Sequence, residues 1–414
     1  MAVGRDAIYL LCIHRKTVHC IRRAAGALWV LAVLSAGPAQ APCQAENPAP
    51  GSTVSAAPNP RGCSRQVEIV NPTPDDLVAS LNIRGLAYKA KGELDCAIRE
   101  FDRAIELKPE NAALYDNRGL VYQDKGDIDR AIQDFNEAIY LKPENAEALN
   151  NRGNAYYAKL QFDRAIRDFD QAIRLDPKNA GAFNNRGIAY HAKNEFDRAI
   201  EDYSRALGFK SDYPAAYSNR GNAYLSKGDL TRAMQDYDEA IRLNPKTAEV
   251  RLNRGVVYLR LGDLDRAIAD FDEAIRIKPD FADAYNNRGF ALNAKGEHVR
   301  AVEDYNQAIG LKPDYAEAFN NRGLALYGAE ARDRAFEDFS AAIRLRPDYP
   351  EAFDNRGAVY ADEGQFDRAI QDFDEALRLA PGYTMAMRNR ARAVARKAER
   401  SQAAQNTIGK AGQP

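Results

Sequence analysis

The chain has 414 residues, of which 45% are hydrophobic and 28% are charged, and its formal net charge is −1. This composition is typical of a soluble protein and excludes a chain with too little apolar content to build a packed structure. A charge this close to zero gives no indication of a polyanionic partner.

Residues 1–45 predict a secretory signal peptide. Basic residues precede an uncharged apolar run at residues 24–37, and small residues follow it. The run is shorter than the about 20 residues that a membrane-spanning helix needs. We expect cleavage after Ala41 or Ala45 and a periplasmic or secreted protein. A retained inner-membrane anchor is the alternative.

Residues 46–77 are rich in Pro, Ser and Ala, which predicts a linker or an irregular N-terminal lead-in. Removal of residues 1–45 would leave Cys63 and Cys96 as the cysteines of the mature chain. One pair of cysteines in an exported protein allows one disulfide. Two free, half-buried thiols are the alternative.

An arginine recurs at a fixed interval through the rest of the chain. From Arg84 to Arg390 is 306 residues, which is nine steps of 34 with no insertion or deletion. A fixed period of this length predicts a solenoid in which each unit buries its apolar face against its neighbours. The units begin at residues 78, 112, 146, 180, 214, 248, 282, 316 and 350, and a partial unit begins at residue 384.

Each unit contains two amphipathic segments, which we name the A helix and the B helix. In the unit 146–179 they are predicted near residues 147–159 and 162–175. A glycine or an asparagine tolerates the left-handed conformation in the turn between them, and a proline ends most B helices. The polar segment 401–414 is predicted to be a disordered tail.

The small and aromatic positions of the unit resemble the tetratricopeptide repeat (TPR). Its frame of aromatic, Gly-x-x-Tyr, Ala, aromatic, Ala and Pro is complete in the unit 112–145, from Tyr115 to Pro143. The chain is similar to exported bacterial members of this family. The resemblance implies an all-α, right-handed superhelical solenoid over residues 78–400, with nine full units and a terminal helix. Arg251 departs from the frame, because an aromatic or large apolar residue is expected there.

The Arg-Gly step in the middle of the A helix of each full unit also departs from the family, which usually has leucine before the glycine. Glycine is about 1 kcal/mol less favourable than alanine in a helix. We expect it to face the alanine of the B helix, where it allows close packing. The arginine is expected to pair with the acid sixteen residues later. The predicted pairs include Arg118–Asp134, Arg152–Asp168 and Arg186–Asp202.

The sequence does not indicate an enzyme. It contains no His/Cys cluster with metal-ligand spacing and no phosphate-binding glycine loop, so we expect no catalytic residue, metal or cofactor. No nucleic-acid partner is expected either, because the Arg-Gly steps are helical and the mature chain is acidic.

The resemblance implies that the A helices line a concave surface that binds a protein or an extended peptide. The inward positions of each unit are the fifth, ninth and twelfth, although individual asparagines could instead hydrogen-bond neighbouring helices. The fifth position is mainly Asn or Asp, so a lysine-based carboxylate clamp is not expected. The candidate residues are Asn150, Asn154, Tyr157, Asn184, His191, Asn222, Leu225, Asn286, Phe290, Asn293, Asn320 and Tyr327.

The last helix is basic, since residues 388–410 contain seven Lys/Arg and one acid. It predicts either a solubilising cap or a weak contact with an anionic membrane or an acidic partner. The predicted function is a non-catalytic protein–protein interaction scaffold. A membrane-anchored or cytoplasmic adaptor, or a regulatory subunit of an envelope enzyme complex, is the alternative. The sequence does not indicate an oligomeric state.

Overall fold

The described part of the chain is entirely α-helical. The structure is a computed structural model that describes residues 73–411, with side chains through residue 403. The predicted signal peptide, nearly all of the lead-in and Cys63 lie outside these residues. The helices are α1 Pro74–Ala90, α2 Leu94–Leu107, α3 Ala112–Asp124, α4 Ile128–Leu141, α5 Ala146–Ala158, α6 Phe162–Leu175, α7 Ala180–Ala192, α8 Phe196–Phe209, α9 Pro214–Lys227, α10 Leu230–Leu243, α11 Ala248–Leu261, α12 Leu264–Ile277, α13 Ala282–Ala294, α14 His298–Leu311, α15 Ala316–Gly328, α16 Arg332–Leu345, α17 Pro350–Asp362, α18 Phe366–Leu379 and α19 Thr384–Ala411.

The chain divides into two compact units, which the unbroken 34-residue frame does not indicate. Within the described residues, the N-terminal unit spans residues 73–243 and contains α1 to α10. The C-terminal unit spans residues 244–411 and contains α11 to α19. Odd-numbered helices are A helices and even-numbered ones are B helices, with α19 as the final A helix. Within each unit every helix packs against its neighbours along the chain, so each unit is a solenoid of helix pairs.

Each B helix contributes two alanines and an aromatic residue to the core. In α6, Ala165, Phe169 and Ala172 are all buried on one face of the helix. The small residues let the helices approach closely, and the aromatic ring fills the remaining space. The same pattern is buried in the C-terminal unit, for example at Ala267, Phe271 and Ala274.

The glycine of the Arg-Gly step faces the aromatic ring of the B helix. A Cβ atom on Gly153 would lie 2.5 Å from Cε1 of Phe169, and one on Gly255 would lie 2.5 Å from Cε1 of Phe271. Both rings are almost fully buried and cannot move aside, so close packing requires glycine here. The glycine was predicted to face the alanine of the B helix, and the backbone oxygens of Ala301 and Ala369 would indeed lie 3.2 Å from a Cβ on Gly289 and Gly357. The aromatic ring lies closer in both repeats, because small-residue patterns do not show which side chain occupies the crossing point.

The turn between the A and B helices requires a positive φ at its centre. Glycine supplies it in six of the 34-residue repeats, and Asn194 supplies it in another, at φ 62°. Leu160 and Glu330 adopt the same conformation, at φ 59° and 62°. A left-handed conformation is strained by roughly 1–2 kcal/mol for a residue with a Cβ. Packing of the two helices therefore overrides the local preference at Leu160 and Glu330.

Helix boundaries differ from the predicted ones at both ends. The first helix begins at Pro74, within the segment predicted as lead-in, because Thr73 and Asp76 form a capping box. The last helix continues to Ala411, although residues 401–414 were predicted to be a disordered tail. Residues 401–403, Ser-Gln-Ala, contain no Gly or Pro that would end the helix.

Candidate functional site

The recurrent arginine joins its A helix to two B helices. Nε and Nη2 of Arg152 donate to the two carboxylate oxygens of Asp168, at 2.7 and 2.8 Å. Its Nη1 donates to Oδ1 of Asn136 in the preceding B helix, at 2.8 Å. The arginine therefore holds successive helix pairs together. Arg118 bonds Asp134 and Asp102, and Arg186 bonds Asp202 and Asp170, in the same way.

Burial and hydrogen bonding act in opposite directions on the pKa values of these pairs. Hydrogen bonding to Asp168 raises the pKa of the Arg152 guanidinium, against the opposing effect of desolvation. Burial raises the pKa of the Asp134 carboxyl, and the bonds from Arg118 oppose that rise. The sequence pointed to the acid sixteen residues after each arginine. It also contained the signal for the second contact, a polar residue sixteen positions before the arginine, which sequence reasoning missed.

The fifth position of the A helices forms hydrogen bonds between successive A helices. Nδ2 of Asn185, at the sixth position, donates to Oδ1 of Asn150 at 3.1 Å. Asn219 donates to Asn184 at 3.0 Å in the same way. In the C-terminal unit, Asn321 donates to Asn286 at 3.1 Å and Asn355 donates to Asn320 at 2.8 Å.

These bonds change the status of four candidate residues. Asn184, Asn286 and Asn320 are 4%, 4% and 1% exposed, and Asn150 is half-buried. Their amide oxygens already accept bonds from the next A helix. They hold the repeats in register, which is the structural role that the sequence left open for individual asparagines. Periodicity could place them on the inward face but could not show that the following asparagine reaches back to them.

Two acids replace asparagine at the fifth position and remain in the same network. Asp116 accepts from Nδ2 of Asn151 at 3.1 Å, and burial raises the pKa of its carboxyl to about 6. Asp354 accepts from Asn389 at 2.9 Å and from the hydroxyl of Tyr383 at 3.3 Å.

The other candidates of the N-terminal unit are partly accessible, except Leu225, which is buried. Asn154 and Tyr157 are half-buried, and the Tyr157 ring lies 5.4 Å from the ring of Phe162. Oδ1 of Asn222 accepts a bond from the hydroxyl of Tyr237 at 2.6 Å.

His191 is a packed aromatic residue at neutral pH. Its ring meets Phe196 edge-on at 5.2 Å, and Nε2 lies 3.4 Å from Oγ of Ser226. Burial lowers the pKa of the imidazole to about 4, against a hydrogen bond with the backbone of Asn222 that raises it. The ring is therefore neutral at pH 7 and contributes no positive charge to the surface.

The candidates of the C-terminal unit also differ in accessibility. Asn293 is buried, and its Oδ1 lies 2.7 Å from Nδ1 of His298. Tyr327 donates its hydroxyl to Asp362 in the next A helix. Phe290 is half-buried at the ninth position. Of the three, Phe290 has the side chain best suited to contact an apolar group of a partner.

The candidate surface is best described by its accessible positions. The second and ninth positions are seven residues apart, close to two helical turns, and so lie on one face of each A helix. We name the residues at these two positions the A face. In the four full repeats of the C-terminal unit the second positions are acidic and the ninth positions are apolar, whereas the final A helix α19 has Met385 and Arg392 there. The acidic and apolar residues of the full repeats are Glu249, Asp283, Glu317 and Glu351, and Val256, Phe290, Leu324 and Ala358.

The A face of the N-terminal unit has a different composition. Glu147 is the acid among its second positions, and its ninth positions include the amides Asn154 and Asn222. Sequence reasoning considered the ninth position but missed the second. The signal was present, because the second position is an acid in every full repeat from residue 248 onward.

Cys96 is half-buried near the start of α2 and is disulfide-bonded. Cys63 lies outside the described residues, so the identity of the bonding partner stays a prediction. Within residues 73–411, no group of three or more His, Cys, Asp or Glu is arranged to hold a metal ion. Among the helices of residues 73–411, none combines the length and the hydrophobicity that a membrane span requires.

Family comparisons assign the repeat. A model described as "Tetratricopeptide repeat" matches residues 150–216 and 218–280, and another with the same description matches residues 350–383. A model described as "TPR repeat" matches residues 85–126, 121–160 and 291–329. Together these ranges cover more than half of the chain. No curated protein sequence matches the chain significantly.

Solved structures show similar folds. The APC/C hetero-tetramer Cut9-Hcn1 is 15% identical, with 76% of each chain covered and a TM-score of 0.53. A tetratricopeptide repeat protein from Parabacteroides merdae is 20% identical, with 60% of this chain and 99% of that one covered and a TM-score of 0.49. YrrB, a TPR protein with an unusual peptide-binding site, is 26% identical, with 44% and 95% covered and a TM-score of 0.38.

Proposed function

Because the chain belongs to the tetratricopeptide-repeat family, we propose that it is a non-catalytic scaffold that holds a protein or peptide partner on its A face. One observation carries the proposal. The buried fifth positions are used in bonds between A helices, while the ninth positions beside them include half-buried side chains such as Asn154, Phe290 and Leu324. These are the groups that a bound segment would contact.

A site-specific cross-linking experiment tests this function. A photo-reactive amino acid is placed at Asn154 or Phe290 of the full chain, and control positions are the exposed B-helix residues Arg167 and Glu337. We expect a partner to cross-link in the source cells from the A-face positions and not from the controls. Equal cross-linking from all four positions, or none from the A face, would contradict the proposal.

Export is part of the proposal. The signal-peptide pattern of residues 1–45 supports a mature chain that is periplasmic or secreted. Trp29 is the chain's one tryptophan and lies within this segment. Protein purified from the envelope should therefore show tyrosine emission without tryptophan emission, and its N-terminal sequence should begin after Ala41 or Ala45. Tryptophan emission from that material would favour a retained anchor.

The basic last helix has mainly a structural role in this proposal. Nε of Arg390 donates to Asp374 at 2.5 Å, and Lys397 pairs with Asp367. Part of the predicted positive charge is therefore neutralised within the C-terminal unit. These pairs favour a cap for the last repeat over contact with an anionic membrane or an acidic partner.

A further inference from the structure

The acids of the C-terminal A face fall into two groups. Glu249 lies 3.4 Å from Lys278, and Glu317 pairs with Arg346, so a cation from the same repeat accompanies each of these two carboxylates. Asp283 accepts the hydroxyl of Tyr315 at 2.7 Å, which adds no positive charge.

Glu351 has no cation partner within residues 73–403. Ala380 stands where the other repeats place Lys278 and Arg346. Asp283 has Lys312 at the corresponding position, but Nζ of Lys312 lies over the Tyr315 ring, 4.6 Å from its centroid, and within residues 73–403 it forms no ion pair with the Asp283 carboxylate. Within residues 73–403 the half-buried carboxylates of Asp283 and Glu351 are therefore not ion-paired, and desolvation by a partner would be unfavourable unless the partner supplied a cation close to them.

An apolar row runs beside these acids. Val256, Phe290 and Leu324 are half-buried, which leaves part of each side chain accessible. Two side-chain hydrogen bonds hold α13, α15 and α17 side by side. Asn321 donates to Asn286, and Asn355 donates to Asn320. The ninth-position side chains, about one helical turn further along, therefore form a row that crosses these A helices.

The spacing of the two rows specifies the chemistry of an occupant. The second and ninth positions of one helix are about 10 Å apart along its axis, since each residue rises about 1.5 Å. An extended segment lying on the ninth positions could insert apolar side chains there and direct lysine or arginine side chains towards the acids. An acidic segment would face unpaired carboxylates of like charge.

We propose that the A face of the C-terminal unit binds an extended segment of a partner protein in which apolar residues alternate with lysine or arginine. This inference rests on the scaffold function proposed above and specifies its partner. The apolar row contributes buried area, and the uncompensated acids select the charge of the bound segment.

The test uses the full chain and two fluorescein-labelled peptides of about twelve residues, a length of the order that an extended chain needs to cross several repeats. Both carry leucine at alternate positions, and the others are lysine in one peptide and glutamate in the second. We expect fluorescence anisotropy to show binding of the lysine peptide at least 10-fold tighter than that of the glutamate peptide. Higher salt should reduce the difference. Equal affinity for the two peptides would overturn the proposal.

A charge-matched pair of variants separates this site from general attraction to an acidic protein. Asp283→Asn with Glu351→Gln should weaken the lysine peptide about 10-fold, and asparagine can still accept from Tyr315. Glu303→Gln with Glu337→Gln removes the same charge from exposed B-helix positions and should change the affinity less than 2-fold. Equal losses in the two variants would overturn the proposal.

Failure of the basic-segment inference can be distinguished from failure of the scaffold function. Cross-linking from the A face in cells, together with no peptide discrimination, would leave the scaffold function intact and reject the basic-segment inference. Absence of both would reject the scaffold function as well. If sedimentation equilibrium shows self-association that Asp283→Asn with Glu351→Gln abolishes, the occupant is a second copy of the chain, which overturns the proposal.

Discussion

The two units have the same interior and different A faces. Arg152–Asp168 and Gly153–Phe169 in the N-terminal unit have exact counterparts in Arg254–Asp270 and Gly255–Phe271 of the C-terminal unit. The second positions are acidic in the four full repeats of the C-terminal unit and mostly neutral in the N-terminal unit. Positions that fix the packing of helix pairs thus keep their residue type, while accessible positions of the same helices differ.

The largest expected difference between the units concerns the arginine. Arg152→Leu leaves the buried carboxylate of Asp168 without its cation, and we expect a loss of about 3 kcal/mol in the local unfolding free energy of α5 and α6. Arg254→Leu should cost about half as much, because Nη1 of Arg251 lies 3.9 Å from Asp270 and can partly replace it. Hydrogen exchange with mass spectrometry measures both. Equal losses would show that Arg251 does not compensate.

Alanine substitution of the glycine in the Arg-Gly step should cost more stability where the new Cβ would lie closer to the aromatic ring of the B helix. Gly153→Ala should destabilise its helix pair by about 2 kcal/mol, because the new methyl would lie 2.5 Å from Phe169 and overpack the core. Gly289→Ala, where the nearest ring atom of Tyr305 would be 3.0 Å away, should cost about 1 kcal/mol. Local hydrogen exchange of the two pairs gives the comparison. A larger loss at Gly289 would contradict the close-packing explanation.

Replacement of Asp116 should change the stability of the protein in a pH-dependent way, and Asp354 occupies the equivalent position in the C-terminal unit. The carboxyl of Asp116 has a pKa of about 6, above the ordinary 3.8, so its charge opposes folding above about pH 6 and that penalty disappears towards pH 4. Asp116→Asn should raise the stability of the N-terminal unit by about 1–2 kcal/mol at pH 7 and have little effect at pH 4. Lys89 and Glu147 act on the same carboxyl in opposite directions, and burial outweighs both.

The control for this prediction is Asp354→Asn in the C-terminal unit. We expect a smaller gain at pH 7, because the Tyr383 hydroxyl also donates to Asp354. Urea unfolding followed at pH 4 and pH 7 measures both variants. A pH-independent gain for Asp116→Asn would show that its charge is not the cause.

The smallest expected effects come from removing the tyrosine hydroxyl at one equivalent B-helix position in two neighbouring repeats. Tyr237→Phe removes the donor to Asn222 and should cost about 1 kcal/mol. Tyr203 has a fully buried hydroxyl with no partner among the described residues, because Ile188 stands where Asn222 would be. Tyr203→Phe should therefore be neutral or stabilising by about 0.5 kcal/mol. Thermal unfolding measures both, and a loss at Tyr203 would indicate a polar group near its hydroxyl.

Much of the fold follows from the sequence because its signals are local and repeated. The 34-residue period, the A and B helices and the Arg–Asp spacing are all readable from residue types. The candidate surface was less predictable. Asn184, Asn286 and Asn320 have the residue type of a peptide-binding surface, but their environments are set by Asn219, Asn321 and Asn355 of the next repeat. One repeat considered alone contains no information about that contact.

One repeat interrupts the hydrogen bonds between successive A helices, and the sequence alone does not show how its asparagine is then bonded. Asn287 cannot donate to the fifth position of the preceding repeat, because Leu252 has no acceptor there. It bonds the backbone oxygen of Asp283 instead, at 2.8 Å. The sequence shows the leucine, and only the packed helices show where the displaced amide goes.

The sequence by itself determined the repeat, because propensity and periodicity act over a few neighbouring residues. It also determined the residue types on each A-helix face. Tertiary structure decided which of those residues remain accessible and placed the boundary between the two units after residue 243. It also put Phe169, rather than an alanine, against Gly153. These outcomes depend on distances between side chains of different helices, and those distances exist only once the helices have packed.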